Sequence, residues 1–153
     1  MSNPVILCAD STCDLSAELI EKYQVKILPM HVNLEENTYS DGVDITPADI
    51  FAHVAAGGAL CSTSANSIGE YADVFEKYSS DYDGIIVITL GSGFSTCYQS
   101  ACLAAEDFPN VRVVDSQNLS TGQGLLAGLG DLLDLQANLV GQLVHPVGMD
   151  AAF

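Results

Sequence analysis

The run IIVITL at Ile85–Leu90 is the feature that most constrains this chain. It is short, β-branched and largely apolar, which reads as a buried strand. It passes without a spacer into Gly91, Ser92, Gly93, Ser95 and Thr96, and then into a helix-like stretch ending near Glu106. The same handover recurs. Val5–Ala9 leads through Asp10-Ser11-Thr12 into DLSAELIEKY, where Leu15, Leu19, Ile20 and Tyr23 have helical spacing and Asp14 or Ser16 can cap. VRVVD leads through SQNLS into another helix. Strand and helix alternate, which predicts an α/β fold: a mostly parallel sheet with helices on both faces, in three layers. In such sheets ligands bind beyond the carboxyl ends of the strands, where loops enter helix N-termini. Glycines there let the backbone approach a ligand, and N–H groups and hydroxyls supply donors, a chemistry that favours an anion.

Between these units, VKILPMHVNL is β-rich with a break expected at Pro29. Thr46-Pro47-Ala48-Asp49 is a helix start with a Thr cap, Pro at the first helical position and an acid three residues after the cap. That helix is expected to end at Gly57-Gly58. CSTSANS reads as a hydroxyl-rich loop joining it to a second amphipathic helix that repeats Ile68, Tyr71, Phe75 and Tyr78.

The 153 residues, 48% hydrophobic, suit one folded domain. Acidic residues number 20 against 4 basic ones, a formal charge of −16. No Lys/Arg cluster exists to neutralise phosphates, so nucleic acid and anionic membranes are poor partners. MSNPVILCADST reads as neither a signal peptide nor a membrane span, so no membrane insertion and a cytoplasmic location are expected. Five cysteines without a C-x-x-C spacing argue against a disulfide framework or a zinc site.

Other chemistries fit less well. Gly93-Phe94-Ser95-Thr96-Cys97 approaches a nucleophile elbow but lacks its second glycine, so a small serine hydrolase using Ser95 is the alternative reading. Gly122-Gln123-Gly124-Leu125-Leu126-Ala127 matches G-x-G-x-x-A, but six residues separate Asp115 from Gly122, too many for a tight dinucleotide turn, and it reads as close helix packing. Asp10 and Asp41 are expected to bond turn backbones, and Asp14 and Asp44 to cap or face solvent, rather than to hold Mg²⁺.

Five segments together resemble one family. Asp10-Ser11-Thr12 resembles the D-S-T signature of the DegV family of bacterial fatty-acid-binding proteins. Tyr39, Asp41 and Gly42 match its Tyr-x-Asp-Gly motif, and Thr63-Ser64-Ala65-Asn66-Ser67 its T-S-x-P-S loop. GSGFSTCYQSA resembles its S-S-x-L-S-G-T-Y-Q-S-A segment, and VVDSQNLSTGQG its V-x-D-S-x-x-x-S-x-G-x-G run. The resemblance implies the N-terminal domain of that family over residues 1–126, with a long-chain fatty acid as ligand, no other cofactor and no catalytic site of its own. The carboxylate would be held by Ser62 or Thr63 and by Ser92 or Ser95, and presented to a partner fatty acid kinase that phosphorylates it.

Departures carry expectations of their own. Asn66 stands where the family has Pro, which should loosen the first loop; Gly91, Thr96 and Cys97 replace Ser, Gly and Thr of the second. The match fades in 127–153, and the family's second domain is expected to be absent, making this an incomplete form. Such a chain should bind fatty acid weakly, or as a homodimer that buries the exposed face. A folded remnant that binds nothing is the bland alternative.

Overall fold

A computed structural model describes residues 5–132. Four strands, β1 (Val5–Asp10), β2 (Lys26–Leu28), β6 (Gly84–Thr89) and β7 (Val111–Asp115), form a parallel sheet in the order β2-β1-β6-β7. From β1 the chain crosses to one side and from β6 to the other, so the strand order reverses between β1 and β6. That crevice is where ligands of open α/β sheets bind. β1 runs beside β6 with Cys8 opposite Val87 and Ala9 opposite Ile88.

The helices lie on both faces, as expected. Residues i and i+2 of a strand share a face. Ile6 and Cys8 of β1 and Ile85 and Val87 of β6 therefore point together into the larger core. There they meet Tyr71 and Phe75 of α3 (Ile68–Ser79) and Ala101 and Ala104 of α4 (Cys97–Ala105). Phe108 packs edge-on to Phe75 at 5.6 Å. On the opposite face Ala9, Cys13 and Val25 are buried against Leu15 and Tyr23 of the α1 segment (Ala17–Tyr23 being the helix itself). There α5 (Thr121–Leu132) contacts α1 and the 3-10 turn Ser11–Cys13.

Caps explain where the helices start. Ser16 Oγ accepts from Leu19 N at the head of α1. Thr46 and Asp49 form a reciprocal capping box on α2 (Pro47–Ala55), and Ser67 and Glu70 form another on α3.

A second, antiparallel sheet was not legible. It has the order β4-β3-β5, with β3 (His31–Leu34), β4 (Asn37–Ser40) and β5 (Ser62–Ser64). Ser62–Ser64 is thus an edge strand paired to β3, and not part of a plain loop between two helices. The break at Pro29 does separate β2 from β3. The helix α5 runs through the expected boundary at 126, and the rest of that tail, 133–153, lies outside the described residues, as does His145. Among the described residues no helix is long and apolar enough to cross a membrane.

Candidate functional site

Asp10 ends β1 at the crevice and is 1% exposed. In place of the expected bond to the turn backbone, it bonds across the sheet and to a side chain of its own turn. Its Oδ2 accepts from Leu90 N at 2.6 Å, and its Oδ1 accepts from Gln123 Nε2 at 3.0 Å and from the Thr12 hydroxyl. Gln123, 0% exposed, also donates to Ile88 O, and its Oε1 lies 2.9 Å from Thr12 Oγ1. Asp10, Thr12 and Gln123 thereby join β1, β6 and α5 at the switch point. The next residue, Ser11, accepts from Met30 N at 3.0 Å and fixes the entrance to β3.

The network holds the root of the Gly91–Thr96 loop, which begins directly after Leu90. Gly91 is required by contact: a Cβ there would stand 2.9 Å from Asn118 N. Ser92 is tied to Asp115 at the end of β7. Its N–H and hydroxyl donate to the two carboxylate oxygens at 3.0 and 2.6 Å. Partial burial pushes the Asp115 carboxyl up, but the Ser92 hydroxyl and the N–H groups of Gln117 and Ser92 outweigh it and hold the group below the usual carboxylate range.

Ser95 is held more lightly. Its Oγ accepts from Cys97 N at 3.2 Å and lies 3.2 Å from Cys97 Sγ. Among the described residues no histidine hydrogen-bonds it: His31 faces Glu70 at 2.8 Å, and His53 is 3.7 Å from Glu35. Among the described residues, then, no histidine is placed to serve Ser95 as a base. Cys97 is fully buried, with Met30 Sδ 3.4 Å from its sulfur. The adjacent Tyr71 hydroxyl is buried without a partner; burial first and Cys97 second push its pKa up.

Met30 leads to the other hydroxyl segment. It immediately precedes β3, where Val32 is paired with Thr63, His31 with Ser64 and Asn33 with Ser62. Paired residues share a face and neighbours alternate. Thr63 therefore lies on the face of buried Val32, whereas Ser62 lies with His31 and Asn33. Ser95 contacts Cys97, Cys97 contacts Met30, and Met30 precedes the strand whose Val32 is in register with Thr63, an exposed residue. The segment after β5 is anchored, contrary to the expected loosening at Asn66. That side chain, 6% exposed, donates to Pro29 O at 2.8 Å, a bond that proline cannot make.

The sequence reading missed Asp115 as the partner of Ser92, Met30 beside Cys97, Gln123 on Asp10 and Thr12, and the bond of Asn66 to Pro29 O. Only Gln123 carried a signal, its place between two glycines. Gly124 confirms the packing reading of that motif, since a Cβ would meet Cys13 O at 2.5 Å. All five cysteines are free, and burial pushes Cys8 up to about 12. Among the described residues no group of three or more His, Cys, Asp or Glu is arranged to hold a metal ion. An apolar cavity of about 310 Å³ opens between α1 and α5, lined by Leu15, Leu19, Tyr23 and Leu125 among others; none of Ser62, Thr63, Ser92 or Ser95 lines it.

Comparison with known proteins places this geometry. A family model described as an uncharacterised protein of the DegV family matches residues 5–129. A DegV domain-containing protein of Clostridium perfringens is 34% identical over 122 residues, 78% of this chain and 44% of the relative. Among solved structures, a DegV family protein from Thermus thermophilus, described for its fatty acid binding, superposes with a TM-score of 0.81. Its identity is 34%, over 88% of this chain and 49% of that one. DegV of Bacillus subtilis, described as a fatty acid binding protein, gives a TM-score of 0.80 at 27% identity, over 95% of this chain and 50% of its own. A stearic-acid-binding protein from Eubacterium ventriosum gives 0.75 at 33%, over 92% and 50%. The chain spans about half the length of the relatives it matches.

Proposed function

The chain belongs to the DegV family, and from that premise we propose that it is a fatty-acid-binding module whose head-group contacts are Thr63 and Ser95. The observation that carries this reading is the contact path from Ser95 through Cys97 and Met30 to the strand that pairs with Thr63. Their rivals within each pair are less suited. Ser92 has its hydroxyl proton on Asp115, and Ser62 lies on the other face of its strand. On this reading the module has no catalytic site. It offers the carboxyl group to a fatty acid kinase, and the alkyl chain supplies most of the affinity at about 0.8 kcal/mol per buried CH₂.

The test is calorimetric titration of the 153-residue chain with palmitate. Each hydroxyl bond is worth about 1 kcal/mol, so Thr63→Val and Ser95→Ala should each weaken binding roughly fivefold, with Ser92→Ala within about twofold of the parent. No binding by the parent chain, or equal loss in all three variants, would refute the assignment. The kinase role is read separately, as acyl phosphate formed when the loaded protein meets a fatty acid kinase and ATP.

A further inference from the structure

On the face of the sheet opposite the larger core, the apolar cavity of about 310 Å³ forms a groove between α1 and α5. Leu15, Leu19 and Tyr23 line one side of it, and Gly124, Leu125 and Gly128 the other. Positions 124, 125 and 128 share one face of a helix, so the second wall is a stripe along α5. The glycines keep that wall low. A Cβ on Gly124 would stand 2.5 Å from Cys13 O, and one on Gly128 would stand 3.5 Å from the Tyr23 ring. Leu125 is 67% exposed and Leu19 37%. Water against such side chains is the cost that an apolar covering segment removes.

The sequence holds a segment of that kind. α5 ends at Leu132, and the chain continues, outside the described residues, as LDLQANLVGQLV over 133–144. Leu135, Leu139 and Leu143 recur every four residues, with Val140 and Val144 beside them. Asp134, Asn138 and Gln142 make a polar row of the same period, and Gln136 interrupts the apolar side near its start. This is the spacing of an amphipathic helix, with Pro146 as its stop signal. The lengths agree. Leu125 stands seven residues before the end of α5, about 10 Å along a helix axis. A short turn at 133–134 and ten helical residues would carry the segment back about 15 Å, past Leu125. Tethering favours this groove over other apolar patches, because the segment leaves from the helix that forms its wall. We propose that residues 135–144 fold back along α5 and fill the groove, with Leu139 and Leu143 seated against Leu19, Tyr23 and Leu125. The groove is then a packing seam of the module, and not the place of a ligand's alkyl chain or of a second copy. The seam stands whether or not the module binds a fatty acid.

Nuclear Overhauser contacts in the methyl-labelled 153-residue chain test this. The Leu139 and Leu143 methyl groups should show contacts to the Tyr23 ring and to the Leu19 and Leu125 methyl groups. These contacts should persist on dilution and be missing from the between-molecule spectrum of a mixed labelled and unlabelled sample. Leu139→Asp combined with Leu143→Asp should open the seam. Amide exchange at residues 125–128 should then accelerate about tenfold or more, while exchange in β6 stays unchanged. Gln142→Asp, on the polar row, should leave exchange at 125–128 within about twofold of the parent. Because the contacts are read in the unaltered chain, a variant that fails to fold does not blunt the test. No contact from 135–144 to these three side chains overturns the inference. Contacts seen only between molecules give the groove to a second copy and overturn it too. So does a response of Tyr23 and Leu125 to added palmitate in place of those contacts, which gives the groove to an alkyl ligand.

Discussion

Replacing Asp10 with alanine probes the part of the molecule on which the site is built. The carboxyl group takes three donors, of which two are fully enclosed: Leu90 N at 2.6 Å and Gln123 Nε2 at 3.0 Å. In Asp10→Ala the Leu90 N–H has no replacement, and a buried donor left unpaired costs about 1–3 kcal/mol. Gln123 suffers less. Its amide keeps Ile88 O, and Thr12 keeps Gln123 Oε1, so about 1 kcal/mol is the fair allowance there. Relief of the buried carboxyl's own desolvation returns part of this. The loss before that relief is about 2–4 kcal/mol and the net about 1–3 kcal/mol, a large share of the roughly 5–15 kcal/mol that holds a domain of this size together. With a urea slope near 1.5 kcal/mol/M, the unfolding midpoint should fall by about 1.3 M. Asp10→Asn keeps an acceptor for Leu90 but turns an NH₂ toward Gln123 or Thr12, and should cost about half as much. Amide exchange at Leu90 should accelerate more in the alanine variant than in the asparagine variant. A midpoint shift below about 0.5 M for Asp10→Ala, or an asparagine variant as damaged as the alanine one, would refute the view that this contact pins the loop.

Other perturbations have equally direct readouts. Gly124→Ala drives a methyl group toward the Cys13 carbonyl, where the ideal position is only 2.5 Å from oxygen. It should destabilise the fold by about 1–3 kcal/mol in chemical denaturation. Ser67→Ala removes one side of the α3 capping box and should cost about 1 kcal/mol, seen as a lower Tm with an unchanged fold by circular dichroism. Asn66→Ala leaves Pro29 O without its partner and should cost about 1–2 kcal/mol, against no change if the residue merely loosens the loop. Asp115 and Glu70 both sit below the ordinary carboxylate range. Their stabilisation is fully present above the unfolded value of about 4 and is lost as pH falls through the lower folded values. Stability should therefore decline below about pH 4, and Ser92→Ala or Ser67→Ala should flatten that decline in acid denaturation curves.

The parts of this fold that sequence made legible share a physical cause. β1 and β6 are buried between helices and β7 packs under α4, so they read as apolar runs wherever they stand. The helix α2 announces itself through Thr46, Pro47 and Asp49, all within one turn. β4 and β5 offer no such sign. Asn37–Ser40 and Ser62–Ser64 are short, polar edge strands, and they are strands because β3 lies beside them. The same limit governs the site. Ser92 and Ser95 are three residues apart and chemically alike, and the family resemblance gave no ground to choose. What separates them is Asp115, 23 residues away, which takes the proton of one and leaves the other on a weak sulfur acceptor. Asn66 follows the same logic, since its substitution for proline looked like lost rigidity until Pro29 O supplied it with a partner. Motifs thus locate hydroxyls, but only pairing between distant segments decides which hydroxyls stay available to a ligand. That is why Ser95→Ala and Ser92→Ala should differ in their effect on the head group, although the sequence treats the two serines as equals.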